Sequence, residues 1–261
     1  MREISILGCG WFGLPLGKSL AEKGFSVKGS TTSESKIAIL KDSGIRPFLL
    51  ALSAEKPVGN IGDFLSSEIL IIAVPPRTAE GNFAEKISLF IPLIEKSSIT
   101  KVLFISSISV YGENDGLVTE DTIPNPATEN GKQILEAERL LQNGKFETAI
   151  LRFGGLLGED RHPVKYLAGR QNLENPNAPI NLIHLDDCIG IILKIIKAER
   201  WNETFNGVAP YHPSRAAYYT VKAIEMNLPL PQFANSKTLG KIIDSKKVIA
   251  DLRYDFQKPQ L

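Results

Sequence analysis

The chain has 261 residues, of which 43% are hydrophobic and 23% are charged. This composition is typical of a globular protein with a full core, and it excludes collagen-like, disordered and disulfide-scaffold classes. The 30 Lys and Arg residues against 29 Asp and Glu residues give a net charge of +1. Such a balance provides no global attraction to nucleic acid or to an anionic membrane surface, so we expect function to reside in a local site.

Targeting and metal signals are weak in this sequence. The longest apolar stretch, residues 69–76, is about half the roughly 18 residues that a membrane-spanning helix needs. The first residues contain one basic and one acidic side chain and run into a glycine-rich turn, which is unlike a signal peptide. Cys9 and Cys188 lie far apart without zinc-ligand spacing, so we expect no disulfide and no metal. A cytoplasmic location is the expectation.

Short apolar runs alternate with helical patterns over the first 153 residues, which is typical of βαβ units. Continuous apolar runs favour strands covered by helices on both faces. The predicted strands are 4–7, 25–29, 47–50, 69–74, 102–106 and 148–152. The predicted helices are 12–23, 34–42, 80–96 and 129–143. In the last helix the 3.6-residue period places Glu136 and Glu138 on the outward face. The pattern predicts an α/β fold, a Rossmann-type doubly wound, mainly parallel sheet.

The pattern changes after Arg152, where glycines and a Pro/Asn-rich stretch at 172–179 interrupt it. A strand at 180–184 and helices at 187–197 and 214–226 follow. We therefore predict a dinucleotide-binding domain of residues 1–153 joined by 180–205. Residues 154–179 and 206–261 form the predicted small C-terminal substrate lobe. We expect this lobe to lie over the carboxyl ends of the strands, where ligands bind in open α/β sheets.

A GxGxxG motif follows the first predicted strand and opens the first predicted helix, which is the context that dinucleotide-binding sites require. Gly8 makes the tight turn, Gly10 lets the pyrophosphate approach the backbone, and Gly13 lets the helix pack on the strand. The helix N-terminus supplies N–H groups to the phosphates. Trp11 and Phe12 belong to the same predicted cofactor-binding loop.

The second predicted strand ends in hydroxyl side chains instead of the acid that usually binds the adenosine ribose. These are Ser30, Thr31 and Thr32. They tolerate a 2′-phosphate, and Lys28 or Lys36 is a candidate counter-charge. The sequence therefore favours NADP over NAD, while the alternative is that the hydroxyls only cap the next helix.

The fourth predicted strand leads into a further candidate segment of the cofactor site. Val74, Pro75 and Pro76 are expected beside the dinucleotide because the carboxyl ends of the strands line the crevice. Arg77 is a candidate contact for phosphate or substrate, with a solvated side chain as the alternative.

Four motifs in this order carry a resemblance to a known family. They are the GxGxxG loop, the Ser-Ser-Ile-Ser-Val-Tyr-Gly run at 106–112, the Leu-Arg-Phe-Gly-Gly-Leu-Leu-Gly run at 151–158, and His-Leu-Asp-Asp at 184–187. Together they resemble the extended short-chain dehydrogenases/reductases. More narrowly, the chain is similar to the atypical NAD(P)-dependent epimerase/dehydratase-like branch, and the resemblance covers nearly the whole chain.

The resemblance implies a catalytic Ser, a Tyr and a Lys that is four residues after the Tyr. In the family the Lys binds the nicotinamide ribose and lowers the Tyr pKa, and the Ser hydrogen-bonds the substrate oxygen. The Ser carries over to Ser107 and the Lys to Lys132, with Glu136 four residues later. The Tyr position holds Thr128, whose hydroxyl is far less acidic than a phenol.

Three interpretations follow from this departure. A tyrosine from elsewhere donates the proton, with Tyr111, Tyr166 and Tyr211 as candidates. A different acid, His162 or His184, supports another reduction or isomerisation. In the third, the dinucleotide is bound without turnover.

The implied function is that of an NAD(P)-binding oxidoreductase or epimerase/dehydratase acting on a small molecule. The alternative is an inactive, dinucleotide-responsive binding or regulatory module. Tyr111, Arg77 and His162 are the candidate substrate contacts. We expect no nucleic-acid or membrane partner, and a monomer or homodimer.

Overall fold

The computed structural model describes residues 2–53, 55, 57–76, 82–235 and 240–261. The chain divides into two compact units. The first unit comprises Met1–Val110, Pro126–Arg152 and Ile195–Thr204. The second comprises Tyr111–Asn125, Phe153–Lys194 and Phe205–Leu261.

A seven-stranded sheet is the largest element of the described chain. Its strands are β1 (Glu3–Leu7), β2 (Ser26–Thr31), β3 (Arg46–Leu49), β4 (Ile69–Ile72), β5 (Lys101–Ser107), β7 (Glu147–Phe153) and β10 (Thr204–Gly207). The spatial order is β10-β7-β5-β4-β1-β2-β3. The pairings of β1 with β2, β1 with β4, β2 with β3 and β4 with β5 are parallel. The fold is therefore the predicted Rossmann-type α/β fold.

Strands β1 to β3 are added toward one edge of the sheet, and the later strands from β4 onward are added toward the other edge. Strand β1 therefore pairs with β2 on one side and with β4 on the other. In an open parallel sheet, ligands bind outside the carboxyl ends of the strands at such a switch point. The segments after Leu7 and Ile72 leave the sheet at this point, so the fold places the glycine loop and the Val74–Pro76 segment next to each other.

Helices connect these strands in the first unit. They are α1 (Gly13–Glu22), α2 (Ile37–Asp42), α3 (Ile61–Phe64), α4 (Phe83–Glu95) and α5 (Glu129–Gln142). The 3₁₀ helices Glu34–Lys36 and Ile108–Tyr111 precede α2 and follow β5. All four side chains of β4 are buried, as a strand covered on both faces requires.

The second unit contains shorter elements. Its strands are β6 (Gly116–Val118), β8 (Gly155–Leu157), β9 (Leu182–His184) and β11 (Lys241–Ile243), and its helices are α6 (Val164–Leu167), α8 (Arg215–Glu225) and α9 (Lys246–Leu252). The strands pair as two parallel ribbons, β6 with β11 and β8 with β9. Helix α7 (Leu185–Ala198) begins in this unit. A core of Leu157, Val164, Ile180, Tyr218 and Tyr219 holds it together.

Each predicted strand and helix overlaps an element of the structure, but several bounds differ. The fourth strand ends at Ile72, before Pro75 and Pro76, which have no N–H for a ladder. The region predicted as one helix at 34–42 is a 3₁₀ turn followed by α2. Residues 180–194 group with the second unit because β9 pairs with β8. The functional division into a cofactor domain and a substrate lobe stays a prediction.

Among the described residues, no helix combines the length and apolar character needed to cross a membrane.

Candidate functional site

Two glycines of the loop after β1 are required by the protein itself. Gly8 has φ +102°, and a Cβ there would lie 2.7 Å from Val74 Cγ1. A Cβ on Gly13 would lie 2.1 Å from the carbonyl oxygen of Gly8. The turn conformation and the close approach of α1 to the loop therefore explain both positions.

Gly10 has no such explanation. It is exposed, its φ is not in the left-handed region, and a Cβ there would meet nothing within 4 Å. The open space lies at the start of α1, whose N-cap Phe12 has no side-chain capping bond and whose first turn has no acid. The positive end of the helix dipole favours an anion at this place. In the first turn Leu14 donates its N–H to the Gly10 carbonyl at 3.1 Å, and Pro15 has no N–H. Beside it, Trp11 is half-buried and Phe12 is buried.

Two of the three hydroxyl side chains at the end of β2 form hydrogen bonds within the protein. Ser30 Oγ accepts the N–H of Gly8 at 2.8 Å, and the Ser30 carbonyl accepts the N–H of Cys9 at 2.8 Å. Thr31 Oγ1 accepts the N–H of Ser33 at 3.1 Å. Thr32 is exposed. Ser30 therefore holds the glycine loop, while Thr31 organises the turn that follows.

The structure separates the two lysines that the sequence offered as counter-charges. Lys28 is 3% exposed, and its ammonium donates to Ser66 Oγ at 2.6 Å and to the Asp63 carbonyl at 3.0 Å. Lys28 is thus a buried anchor for the end of α3, and the expectation that it faces the cofactor is wrong. Lys36 is exposed.

Lys36 influences the electrostatics of Cys9 in the glycine loop. Burial raises the pKa of the Cys9 thiol to about 12, while hydrogen bonding at Ser30 and the positive charge of Lys36 act in the opposite direction. Lys36 therefore remains as the candidate counter-charge.

The segment after β4 lies beside the glycine loop. Val74 is half-buried and is the side chain that a Cβ on Gly8 would meet. Pro75 is exposed and Pro76 is half-buried. Arg77 falls outside the described residues.

The two serines at the end of β5 have different surroundings. Ser106 is 5% exposed, and its hydroxyl donates to the carboxylate of Glu138. Ser107 is half-buried, and its Oγ accepts the N–H of Ser109 at 3.1 Å. An acceptor role leaves the Ser107 O–H available as a donor. Of the pair, Ser107 is the hydroxyl that can serve a substrate.

Thr128 is the N-cap of α5. Its Oγ1 accepts the N–H of Gly131 at 3.1 Å, with φ −103° and ψ 153°. Thr is a preferred N-cap residue because its side-chain oxygen satisfies an orphan N–H of the first turn. The capping bond gives position 128 a structural reason for a short hydroxyl side chain.

Lys132 lies on the exposed side of α5. It makes no hydrogen bond or ion pair with the residues that the structure describes, and Glu136 one turn later is exposed as well. Glu138, six residues on, points to Ser106. At 3.6 residues per turn, Lys132 is about 120° around the helix from that direction. The structure therefore does not bring Lys132 to the Ser106 side of the helix.

Glu138 corrects another expectation. The helical period placed it on the outward face, yet it is 1% exposed, and Arg152 donates to it from Nε at 3.0 Å and from Nη2 at 2.6 Å. A sequence signal existed in Arg152 itself, a charged residue inside an otherwise apolar strand. Such a residue needs a buried partner.

The remaining candidates lie in the second unit. Tyr111 is 0% exposed, and its hydroxyl donates to Asn206 Oδ1 at 2.8 Å. Tyr111 is therefore a packing residue, and no face of its ring is exposed to a substrate. Tyr166 and Tyr211 are 76% and 45% exposed.

His162 has both ring nitrogens engaged. Nδ1 accepts the N–H of Val164 at 3.1 Å, and Nε2 lies 3.0 Å from the Tyr218 hydroxyl. Burial, together with the charges of Lys222 and Lys165, lowers the pKa of His162 to about 4. His162 is therefore neutral at physiological pH and holds the first residue of α6. It is half-buried, and its role as an acid or substrate contact stays a prediction.

His184 is positioned by its own neighbour. Its Nδ1 accepts the N–H of Asp186 at 3.3 Å. Asp187 is fully buried and accepts from the Tyr254 hydroxyl at 2.7 Å. These are structural hydrogen bonds at the start of α7. Within the described residues, no group of three or more His, Cys, Asp or Glu side chains is arranged to hold a metal ion.

Comparison with known proteins identifies relatives over almost the whole length. Protein YeeZ of Escherichia coli strain K12 is 33% identical over 267 residues, covering 99% of this chain and 97% of the relative. No family model matches the sequence.

Solved structures share the fold. One is UDP-glucuronic acid 4-epimerase from Bacillus cereus in complex with NAD, at a TM-score of 0.82, 17% identity, and coverage of 98% of this chain and 92% of the other. Another is a short-chain dehydrogenase/reductase superfamily protein from Agrobacterium tumefaciens with bound NAD. Its TM-score is 0.77 at 16% identity, with 98% and 93% coverage.

Proposed function

We propose that this chain binds NAD(P). The premise is that the chain belongs to the family of protein YeeZ and has the fold of the extended short-chain dehydrogenases/reductases. In this proposal it acts on a small molecule as an oxidoreductase or epimerase/dehydratase. The dinucleotide lies at the loop Gly8–Gly13 and the start of α1. The two solved structures of the same fold that hold NAD support this class of cofactor.

Gly10 is the observation that carries the proposal. No conformational or packing requirement of the protein explains a glycine there, whereas a pyrophosphate that approaches the backbone does. The first turn of α1 carries no acid, and the positive end of its dipole favours such an anion. Val74, Pro75 and Pro76 border the same loop.

We further propose NADP over NAD. The end of β2 carries no carboxylate that would repel a 2′-phosphate, and the exposed Lys36, five residues beyond β2, partly offsets by its charge the burial that raises the pKa of Cys9 in the glycine loop. A charge-assisted hydrogen bond from an ammonium to phosphate is stronger than a neutral one. Lys36 and the exposed Thr32 hydroxyl are the residues we assign to this end of the cofactor.

A bound nicotinamide supplies hydride donation or acceptance at a substrate carbon. The chain's own contribution in the proposed reaction is to hold the substrate oxygen through the Ser107 hydroxyl, which has its donor hydrogen available. Nucleotide sugars and other carbonyl or hydroxyl compounds are the substrate class that the fold relatives favour.

A second candidate function is dinucleotide binding without turnover. The capping bond of Thr128, the exposure of Lys132 and the burial of Tyr111 favour it. In this case the cofactor controls a surface that a protein partner recognises. Turnover of NADP(H) with nucleotide sugars or carbonyl compounds would support the enzyme. Tight binding with no turnover of any of them would support the binding module.

Substitution of Gly10 tests the shared part of both proposals. Gly10→Val should abolish NADP(H) binding in a fluorescence titration, because the side chain occupies the space of the pyrophosphate. The fold should persist, since a Cβ there meets nothing within 4 Å. Gly62→Val is the matched control, as its Cβ also meets nothing within 4 Å but it lies on α3. Wild-type affinity in Gly10→Val would refute the assignment.

A further inference from the structure

Helix α5 meets the end of β5 at two places that lie on one side of the helix. Glu138 reaches Ser106, and Gly131 lies against Ser109. Seven residues separate Gly131 from Glu138, so they are two turns apart and within about 20° of the same direction. Ser107 lies between the two contacts along the chain.

The first contact is a buried charged network. Glu138 is 1% exposed, Arg152 is 6% exposed and Ser106 is 5% exposed. Arg152 donates to both carboxylate oxygens of Glu138, at 3.0 Å and 2.6 Å, and the Ser106 hydroxyl donates to the first of these. The network connects α5 with β7 and with the residue immediately before Ser107.

Stability alone is a weak reason for such a network. Removing two charges from water costs free energy that their attraction often fails to recover, and apolar replacements of the pair are often neutral or stabilising. What the pair does provide is direction, because a bidentate Arg–carboxylate contact fixes both orientation and distance.

The second contact is steric. A Cβ on Gly131 would lie 3.0 Å from the Ser109 carbonyl oxygen and 2.9 Å from Pro126 Cβ. Glycine therefore permits the first turn of α5 to approach the backbone that follows Ser107. The Ser107 hydroxyl accepts the N–H of the same Ser109. The conformation of Ser107 is thus restricted by the contacts of Ser106, which precedes it in the chain, and of Ser109, which follows it.

We propose that Glu138 is a positioning residue, which through Ser106 and Arg152 fixes the Ser107 hydroxyl relative to the first turn of α5. The inference rests on the proposed function only for what Ser107 serves. The positioning role itself does not depend on a cofactor. Without the network, residues 106–111 and the first turn of α5 move independently of each other.

A double substitution separates positioning from stability. Glu138→Met with Arg152→Met removes both charges together and leaves no unpaired ion in the core. We expect a folded protein in which amides of 106–111 and 128–133 exchange with deuterium about tenfold faster, while the other segments keep their protection. Where the double variant fails to fold, Glu138→Gln, which keeps the shape and loses the charge, is expected to show the same local pattern.

The matched control is Thr148→Val. Thr148 Oγ1 donates to the Leu141 carbonyl at 3.0 Å, so it also joins β7 to α5, but at the last turn of the helix and without contact to Ser106 or to the first turn. This variant should leave exchange at 106–111 unchanged. Unchanged exchange in the Glu138 variants, or faster exchange spread evenly over the chain, would overturn the positioning role.

Bound NADPH gives a second readout. The emission of reduced nicotinamide depends on its surroundings, so in the double variant it should shift toward that of free NADPH while affinity stays within about threefold. Absence of NADPH binding by the wild-type protein would refute the proposed function, and the exchange data would still decide the positioning role.

Discussion

Single residues decide which chemistry the site can offer. Gly8 and Gly13 are required by φ and by a close backbone contact, whereas Gly10 is required by nothing in the protein. Lys28 and Lys36, both near the end of β2, differ in the same way. Lys28 is buried against carbonyl oxygens, whereas Lys36 is exposed. Gly62 is equally unexplained by its contacts, so Gly10 indicates a ligand only through its place between a strand and a helix N-terminus.

The proposed role of Lys36 gives a prediction on cofactor choice. Lys36→Glu should weaken NADP binding by about tenfold or more, because a charge-assisted hydrogen bond contributes about 1.5 to 3 kcal/mol. NAD binding should change little, since NAD has no 2′-phosphate. Paired titrations with the two cofactors measure the ratio. Lys41→Glu, an exposed change on α2, is the control, and an equal loss of NADP binding there would contradict the assignment.

At the scale of elements, helix α5 shows how a cap and a buried acid set the orientation of one helix. Its first turn is closed by Thr128, and its inward face carries Glu138 among apolar side chains. Position 128, where the resemblance leads us to expect a tyrosine, therefore holds a residue that caps the helix. The rotation of α5 that buries Glu138 also turns Lys132 outward.

Removal of the cap should have a measurable cost. Thr128→Ala should lower the free energy of unfolding by about 1 kcal/mol, because the Gly131 N–H loses its acceptor. Thr128→Ser keeps the oxygen and should retain most of that stability. Urea denaturation of the three proteins provides the comparison. Equal destabilisation by Ala and Ser would show that the methyl group, and not the capping bond, matters.

At the scale of the whole molecule, a cluster of four charges ties together distant parts of the chain in the first unit. Arg2 donates to Glu68 at 2.6 Å and to Glu199 at 2.5 Å. Lys101 lies 3.2 Å from Glu68 and 2.6 Å from Glu199. The hydrogen bond from Arg2 is the largest cause that lowers the pKa of each acid to about 2, and Lys101 adds to it.

These shifts predict acid sensitivity. Each folded-state pKa lies below the ordinary glutamate value of 4.5, so the unfolded chain binds protons first as the pH falls. The stabilisation is complete above pH 4.5 and is lost between there and pH 2. Partial exposure of the pairs keeps the effect small. Glu68→Gln with Glu199→Gln should flatten the fall in unfolding free energy over this range, and Glu22→Gln on α1 should not. A fall as steep as that of the wild type would exclude the cluster as its cause.

The sequence by itself determined six of the seven strands of the central sheet, all but β10, and the glycine loop, because these features appear in local patterns. Continuous apolar runs predict buried parallel strands, and a GxGxxG between a strand and a helix predicts the turn at Gly8. The short elements that were not predicted, such as β6 and β11, contain three residues each. Such lengths are too short for periodicity to act as a signal.

Only the tertiary structure decided which side chains face the site. Glu138 is buried together with Arg152 of β7, which donates to its carboxylate. Tyr111 is buried with its hydroxyl donating to Asn206, which lies 95 residues away in the chain. Lys28 and His162 likewise form hydrogen bonds with partners that no local sequence pattern predicts. A helical period defines faces but does not say which face a distant charged partner will bury. The physical reason is that the free energy of burying a polar group depends on the partner it meets, and the fold alone brings that partner into contact.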